Sequence, residues 1–430
     1  TYQQPIRHGV GQGLMSSSQI VVGGPALSGT TNNVSGWSRS DTLRTVLSAL
    51  IVFCLIVGAY VLQARSDGDA TPAFSLLIGT SLGIVFERGR FCFYCIFREA
   101  IEERVTRPLL SVIAALIVGA IGHAVLFGLF LPNPKGEGLP PNAHISPVSI
   151  PLILGAFAFG IGMVLSGACI SGHLYRLGQG YLRAIPALFG SLIGFGLGFL
   201  TWNTLYLNQI SSSPVWWLPR WLGYGGSLVV TIVVLGSLAI YVFVRDTSTT
   251  EQTQPANISS LSQVRHMVFV RRWSPAITGS IVGLIGVFAY LRVSPLGVTA
   301  QLSTVSRTFL DGQGKLPEVL HGIDLLKGCV GVVANAITNN GWLVIGMVAA
   351  SFAAALGGNN FSVTKLTVGN SLTALLGGVL LGWGSMTALG CTVGVLLSGV
   401  QAFALSGAVF GIAVFAGVFV GLKLKLHRVR

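Results

Sequence analysis

From about residue 45 onward the chain alternates between apolar runs of roughly 20 residues and short polar connectors, the spacing expected of helices that cross a bilayer. Ten runs fit, starting near residues 45, 71, 109, 150, 184, 222, 274, 340, 370 and 404, and the second is short. Leu366 to Leu422 contains no Asp, Glu, Lys or Arg, enough for two crossings. The predicted fold is an all-α integral membrane protein of nine to ten transmembrane helices, because backbone polar groups in lipid must be satisfied within the segment. Four stretches break the pattern, being too short, too glycine-rich or too polar for a simple crossing: Phe86–Phe97, Gly167–Gln179, Ile323–Asn340 and Gly390–Gln401. Each holds a cysteine, and each is predicted to form a short re-entrant helix.

A shift of 222 positions lays Gly155, Gly160, Gly162, Cys169 and Gly172 on Gly377, Gly382, Gly384, Cys391 and Gly394. Spans two to five then repeat as spans seven to ten. The single span between them turns the second copy upside down, giving an inverted repeat. The predicted organisation is a polar arm (1–43), an extra span (44–66), a first half (70–206), a connecting span (222–245), a cytoplasmic linker (246–273) and a second half (274–425).

Composition sharpens this picture. Hydrophobic residues make up 52% of the chain and charged residues 9%, far below the ~25% of soluble domains. The net charge of +13 sits in short loops flanking apolar runs, without the basic, aromatic-interleaved stripe of a nucleic-acid binder. It reads instead as an orientation signal, with both termini cytoplasmic in a bacterial inner membrane. Trp216 and Trp217, in a loop of low charge, are expected to anchor at the opposite interface. The arm is rich in Gly, Ser, Gln and Asn and has no signal-peptide core. Arm and first span are surplus to the repeat and point to a protein partner beside the lipid bilayer.

The chemistry rests on cysteine. None of the six falls in a secreted-disulfide pattern, so free thiols are expected. A neutral thiol is a weak donor and a polarisable contact, suited to a soft sulfur-containing anion, whereas a thiolate would repel one. Gly390–Gln401 has no Lys or Arg and Gly167–Gln179 only Arg176, leaving half-helix N-termini to supply positive potential. Cys92, Cys169, Cys329 and Cys391 are the predicted substrate contacts, with His173 four residues after Cys169 on the same helix face. Simple packing competes at each position and is the expected role of Cys54 and His123. Cys92 and Cys95 form Cys-x-x-Cys, but no βαβ context favours a redox pair. The charged run from Glu87 to Arg104 reads as a solvated cytoplasmic face. No cofactor, metal or enzyme motif stands out.

The run Gly160-Ile-Gly-Met-Val-Leu-Ser-Gly-Ala-Cys-Ile-Ser-Gly-His-Leu-Tyr-Arg-Leu-Gly-Gln-Gly180, with Ser294-Pro-Leu-Gly-Val-Thr299 and Gly390-Cys-Thr-Val-Gly394, resembles the YeeE/YedE membrane family over roughly residues 70–425. Gly167-Ala168 stands where that family has a double glycine. The resemblance implies nine spans, four re-entrant helices and thiosulfate uptake by sulfur-to-thiol hydrogen bonds, at Cys92, Cys169, Cys329 and Cys391. Longer relatives suggest selenium species as another substrate. The competing readings are an accessory transmembrane subunit of a larger complex and an intramembrane thiol oxidoreductase.

Overall fold

Long apolar helices dominate the computed structural model, which describes residues 39–66, 68–136, 138–246, 272–323 and 331–428. The arm up to residue 38, the linker residues 247–271 and Cys329 lie outside the described residues. The helices are α1 (Arg39–Arg65), α2 (Thr71–Gly89), α3 (Phe93–Arg98), α4 (Leu109–Phe130), α5 (Ile150–Ser166), α6 (Ile170–Gly178), α7 (Ala184–Leu205) and α8 (Pro219–Arg245). After the linker come α9 (Pro275–Arg292), α10 (Ala300–Gly312), α11 (Asn339–Gly357), α12 (Val368–Thr387), α13 (Thr392–Gln401) and α14 (Leu405–Lys423). Among the described residues, eight helices are long and apolar enough to span a membrane. They become nine when α12 and α13, bent by 42° at a short break, count as one broken span. The chain is an all-α multi-pass membrane protein.

The core is a lattice of helix pairs. α2 packs on α11 and α4 on α9, α5 crosses α12, and α7 packs on α12 as α14 does on α5. Glycine sets the closest approaches. A Cβ on Gly162 would stand 2.8 Å from the Gly377 carbonyl oxygen, and one on Gly377 would stand 2.8 Å from that of Gly162. Gly155 and Gly384 face each other in the same way, with 3.0 and 2.4 Å to the opposing carbonyls. Small residues are what permit such contact where lipid supplies no hydrophobic drive between helices. α1 and α8 turn much of their apolar surface outward, including Phe53, Tyr60, Val229 and Val244. Cys54 belongs to that outward face and not to the packed core.

Two expectations need correction. Glu87 and Arg88 are buried, not solvated. Arg88 Nε donates to Glu87 Oε2 at 2.6 Å and Nη2 donates to the Ala354 carbonyl at 2.8 Å, while Asn360 Nδ2 donates to Glu87 Oε1. Paired and hydrogen-bonded charge is the form in which burial is tolerated. Trp217 is also buried, its indole N–H donating to the Ala402 carbonyl at 2.9 Å, and only Trp216 faces outward. The backbone of this loop pairs with the residues after α13, through Leu218 N–H to Phe403 O and Leu405 N–H to Trp216 O. Of the expected re-entrant segment Ile323–Asn340, residues 324–330 lie outside the described residues, and α11 begins at Asn339. The short helix of this region is α10, upstream, whose hydroxyls hold the extended chain: Gly331 N–H donates to Ser303 Oγ and Val332 N–H to Thr304 Oγ1. Its serines and threonines left no apolar period to read.

Candidate functional site

Three short helices begin at a cysteine. Cys92 is the N-cap of α3, Cys169 of α6 and Cys391 of α13, and all three are 0% exposed. The N-cap is where an acceptor satisfies the first free amides, and it carries the positive end of the helix dipole. Cys169 does this with sulfur: its Sγ accepts from Gly172 N–H at 3.4 Å and lies 3.3 Å from Ser171 Oγ. The Cys391 sulfur is surrounded by the amides of Val298, Val393 and Gly394 and the hydroxyl of Thr299.

The thiols form a line. Cys92 meets Cys169 on one side and Cys95 on the other. Gly172 makes the junction possible, since a Cβ there would stand 3.0 Å from Cys92 Sγ and 3.3 Å from Cys169 Sγ. Around α3 the walls are aromatic: Phe86 stacks on Phe91, and Tyr175 meets Phe86 edge-on. Cys92, Cys169 and Cys391 are sealed from solvent, and Cys95 is partly exposed.

At the far end of the line Arg176 Nη2 donates to Cys95 Sγ at 2.8 Å. The guanidinium also reaches the Gly167 carbonyl and the Tyr175 hydroxyl, each at 3.4 Å, and lies over the Tyr175 and Tyr181 rings. Among the described residues no carboxylate pairs with it. A fixed cation therefore joins the half-helix termini that the sequence led us to expect alone.

The predicted residues fare differently. Cys92 and Cys169 meet at Gly172, Cys391 lies at the start of α13, and Cys329 lies outside the described residues. His173 is buried on α6, where the charges acting on its ring are Arg176 and Arg183. No contact among the described residues joins that ring to a thiol. Cys95 and Arg176 were missed. The signal was present, since Cys95 lies three residues after Cys92 and Arg176 seven after Cys169. His123 is a packing residue, its Nδ1–H donating to the Gly119 carbonyl at 2.8 Å beside Phe127 and Tyr290. No group of His, Cys, Asp or Glu among the described residues could hold a metal ion.

Broken apolar helices bring buried thiols together inside a bilayer-spanning bundle, the architecture of a multi-pass membrane protein. The chain belongs to the sulphur transport family, whose profile matches residues 88–420. It is similar to the thiosulfate transporter TsuA of Escherichia coli K12, 25% identical over 336 residues, which are 74% of this chain and 84% of the relative. The TsuA of Spirochaeta thermophila is 28% identical over 351 residues, 77% of this chain and 92% of the relative. A probable transporter, YedE of Escherichia coli K12, matches at 26% over 186 residues, 43% of each chain.

Proposed function

We propose that this protein carries thiosulfate, or a closely related sulfur anion, into the cytoplasm across the bacterial inner membrane, passing it along Cys391, Cys169, Cys92 and Cys95. The observation that carries the reading is the meeting of Cys92 and Cys169 over Gly172, two buried thiols at converging helix starts. A thiol there offers its weak S–H donor and polarisable sulfur to the terminal sulfur of the anion. The helix starts supply partial positive charge without a tight ion pair, so successive weak contacts allow release as well as entry. The two TsuA relatives supply the substrate. Both termini face the cytoplasm in this reading, together with the basic residues at Arg44, Arg90–Arg107, Arg245–Arg272 and Lys423–Lys425.

The exchange of α2 with α9, α4 with α11, α5 with α12 and α7 with α14 maps the packing pairs onto themselves, which supports an inverted repeat of residues 70–206 and 274–425. The test is uptake of radiolabelled thiosulfate by proteoliposomes. Cys169→Ala and Cys391→Ala should each cut uptake at least tenfold in protein that elutes and melts like the parent. Unchanged uptake in both would end the thiol route.

A further inference from the structure

Each half of the chain delivers a residue onto its half-helix cysteine from the connector that follows its first long helix. In the first half, α2 ends at Gly89 and Cys92 reaches Cys169. In the second, α9 ends at Arg292 and Thr299 reaches Cys391. The parallel extends to local structure, because Cys92 is the N-cap of α3 and Thr299 the N-cap of α10. The helices bearing these connectors are seated alike: Gly79 and Gly83 of α2 lie on the backbone of Leu343 and Met347, and Gly279 and Gly283 of α9 on that of Ser111 and Ala115.

Thr299 differs from its counterpart in chemistry. Threonine at an N-cap ordinarily turns its hydroxyl back to the N2 or N3 amide. Thr299 makes no such bond, is 0% exposed, and its Oγ1 has no nitrogen or oxygen partner. Thr392, directly after Cys391, likewise buries an Oγ1 without a partner. Thr299 thus has only the Cys391 sulfur beside its hydroxyl, and the neighbouring Thr392 buries a second hydroxyl without a partner, which packing alone disfavours because buried hydroxyls are normally bonded.

We propose that Thr299, with Thr392, is the oxygen-binding station of the path. Resting on the thiosulfate reading above, it hydrogen-bonds the sulfonate oxygens while Cys391 contacts the terminal sulfur. Thiosulfate is soft at one end and hard at the other. A hydroxyl bonded to an oxyanion is a short, charge-assisted contact that a thiol reproduces poorly. The second half therefore reads both ends of the anion, where the first half brings a second thiol, Cys92, onto Cys169.

The test compares Thr299→Val, which keeps the shape and removes the donor, with Thr299→Ser, which keeps the donor. Thiosulfate uptake by proteoliposomes is measured over a concentration series, together with thiosulfate-dependent thermal stabilisation in detergent. The expected result is at least a tenfold rise in KM and loss of stabilisation for Thr299→Val, with Thr299→Ser within about twofold of the parent. Thr299→Val with parental KM and stabilisation would overturn the assignment while leaving the thiosulfate reading intact. A parent protein that neither moves nor is stabilised by thiosulfate would overturn both. Equal loss in the Val and Ser variants would make Thr299 a packing residue.

Discussion

Arg176 on α6 donates through Nη2 to the Cys95 sulfur at 2.8 Å, and no carboxylate among the described residues neutralises it. A half-buried guanidinium without a counter-charge is costly unless an anion visits it. In the proposed direction the thiol line then ends on a cation that draws thiosulfate off Cys92. Arg176→Gln should lower the maximal uptake rate at least tenfold and Arg176→Lys should restore part of it, since Lys keeps the charge and loses the planar fork. Uptake kinetics in proteoliposomes check this, and equal activity of the Gln variant and the parent would remove Arg176 from the route.

Gly172 lies against the sulfurs of both Cys92 and Cys169. Gly172→Ala puts a methyl group 3.0 Å from Cys92 Sγ, and something must move. The expected outcome is a tenfold or greater fall in thiosulfate uptake with a small change in melting temperature, because the displaced atoms are two side-chain sulfurs and the Ala168 methyl group. A large loss of stability with full residual activity would contradict this account.

The glycine seam between α5 and α12 makes a prediction about stability alone. Gly162→Val and Gly377→Val each drive a side chain into a carbonyl at 2.8 Å and should destabilise by about 1–3 kcal/mol, the usual cost of overpacking. Gly236→Ala on α8, with nothing within 4 Å of its new methyl, should be neutral or slightly stabilising. Thermal unfolding in detergent measures both.

Thiol accessibility should sort the cysteines. Cys54 faces outward, whereas Cys92, Cys169 and Cys391 are 0% exposed. In variants retaining one cysteine, a maleimide should label Cys54 at least tenfold faster than Cys169 in detergent. Rapid labelling of Cys169 would mean that the line stands open without a solute.

The sequence made the spans legible because lipid imposes a length on apolar runs. The expected starts near 109, 150, 184 and 274 fall at Leu109, Ile150, Ala184 and Pro275. The same logic failed wherever polar atoms are satisfied inside the protein. Glu87 and Arg88 look like a solvated loop until the Ala354 carbonyl and Asn360 are brought to them from the other half of the chain. α10 is too rich in Ser and Thr to show an apolar stripe, and its hydroxyls serve chain more than 20 residues away. Within the candidate site, glycine-flanked cysteines at matched spacing singled out Cys169 and Cys391, both of which are buried at helix starts. Cys95 was passed over because Cys-x-x-Cys raises a redox question first, and Arg176 because a cation within an apolar segment reads as an edge.

The crosswise contacts of Gly155 with Gly384 and of Gly162 with Gly377 have the form of an isologous interface, the kind two identical subunits make across a two-fold axis. In an antiparallel homodimer of half-length chains, every change near the path would occur twice. Joining the copies into one polypeptide lifts that constraint. The glycines that hold the seam are still needed on both sides, while the residues above it are free to diverge, as Cys92 at the N-cap of α3 and Thr299 at the N-cap of α10 do.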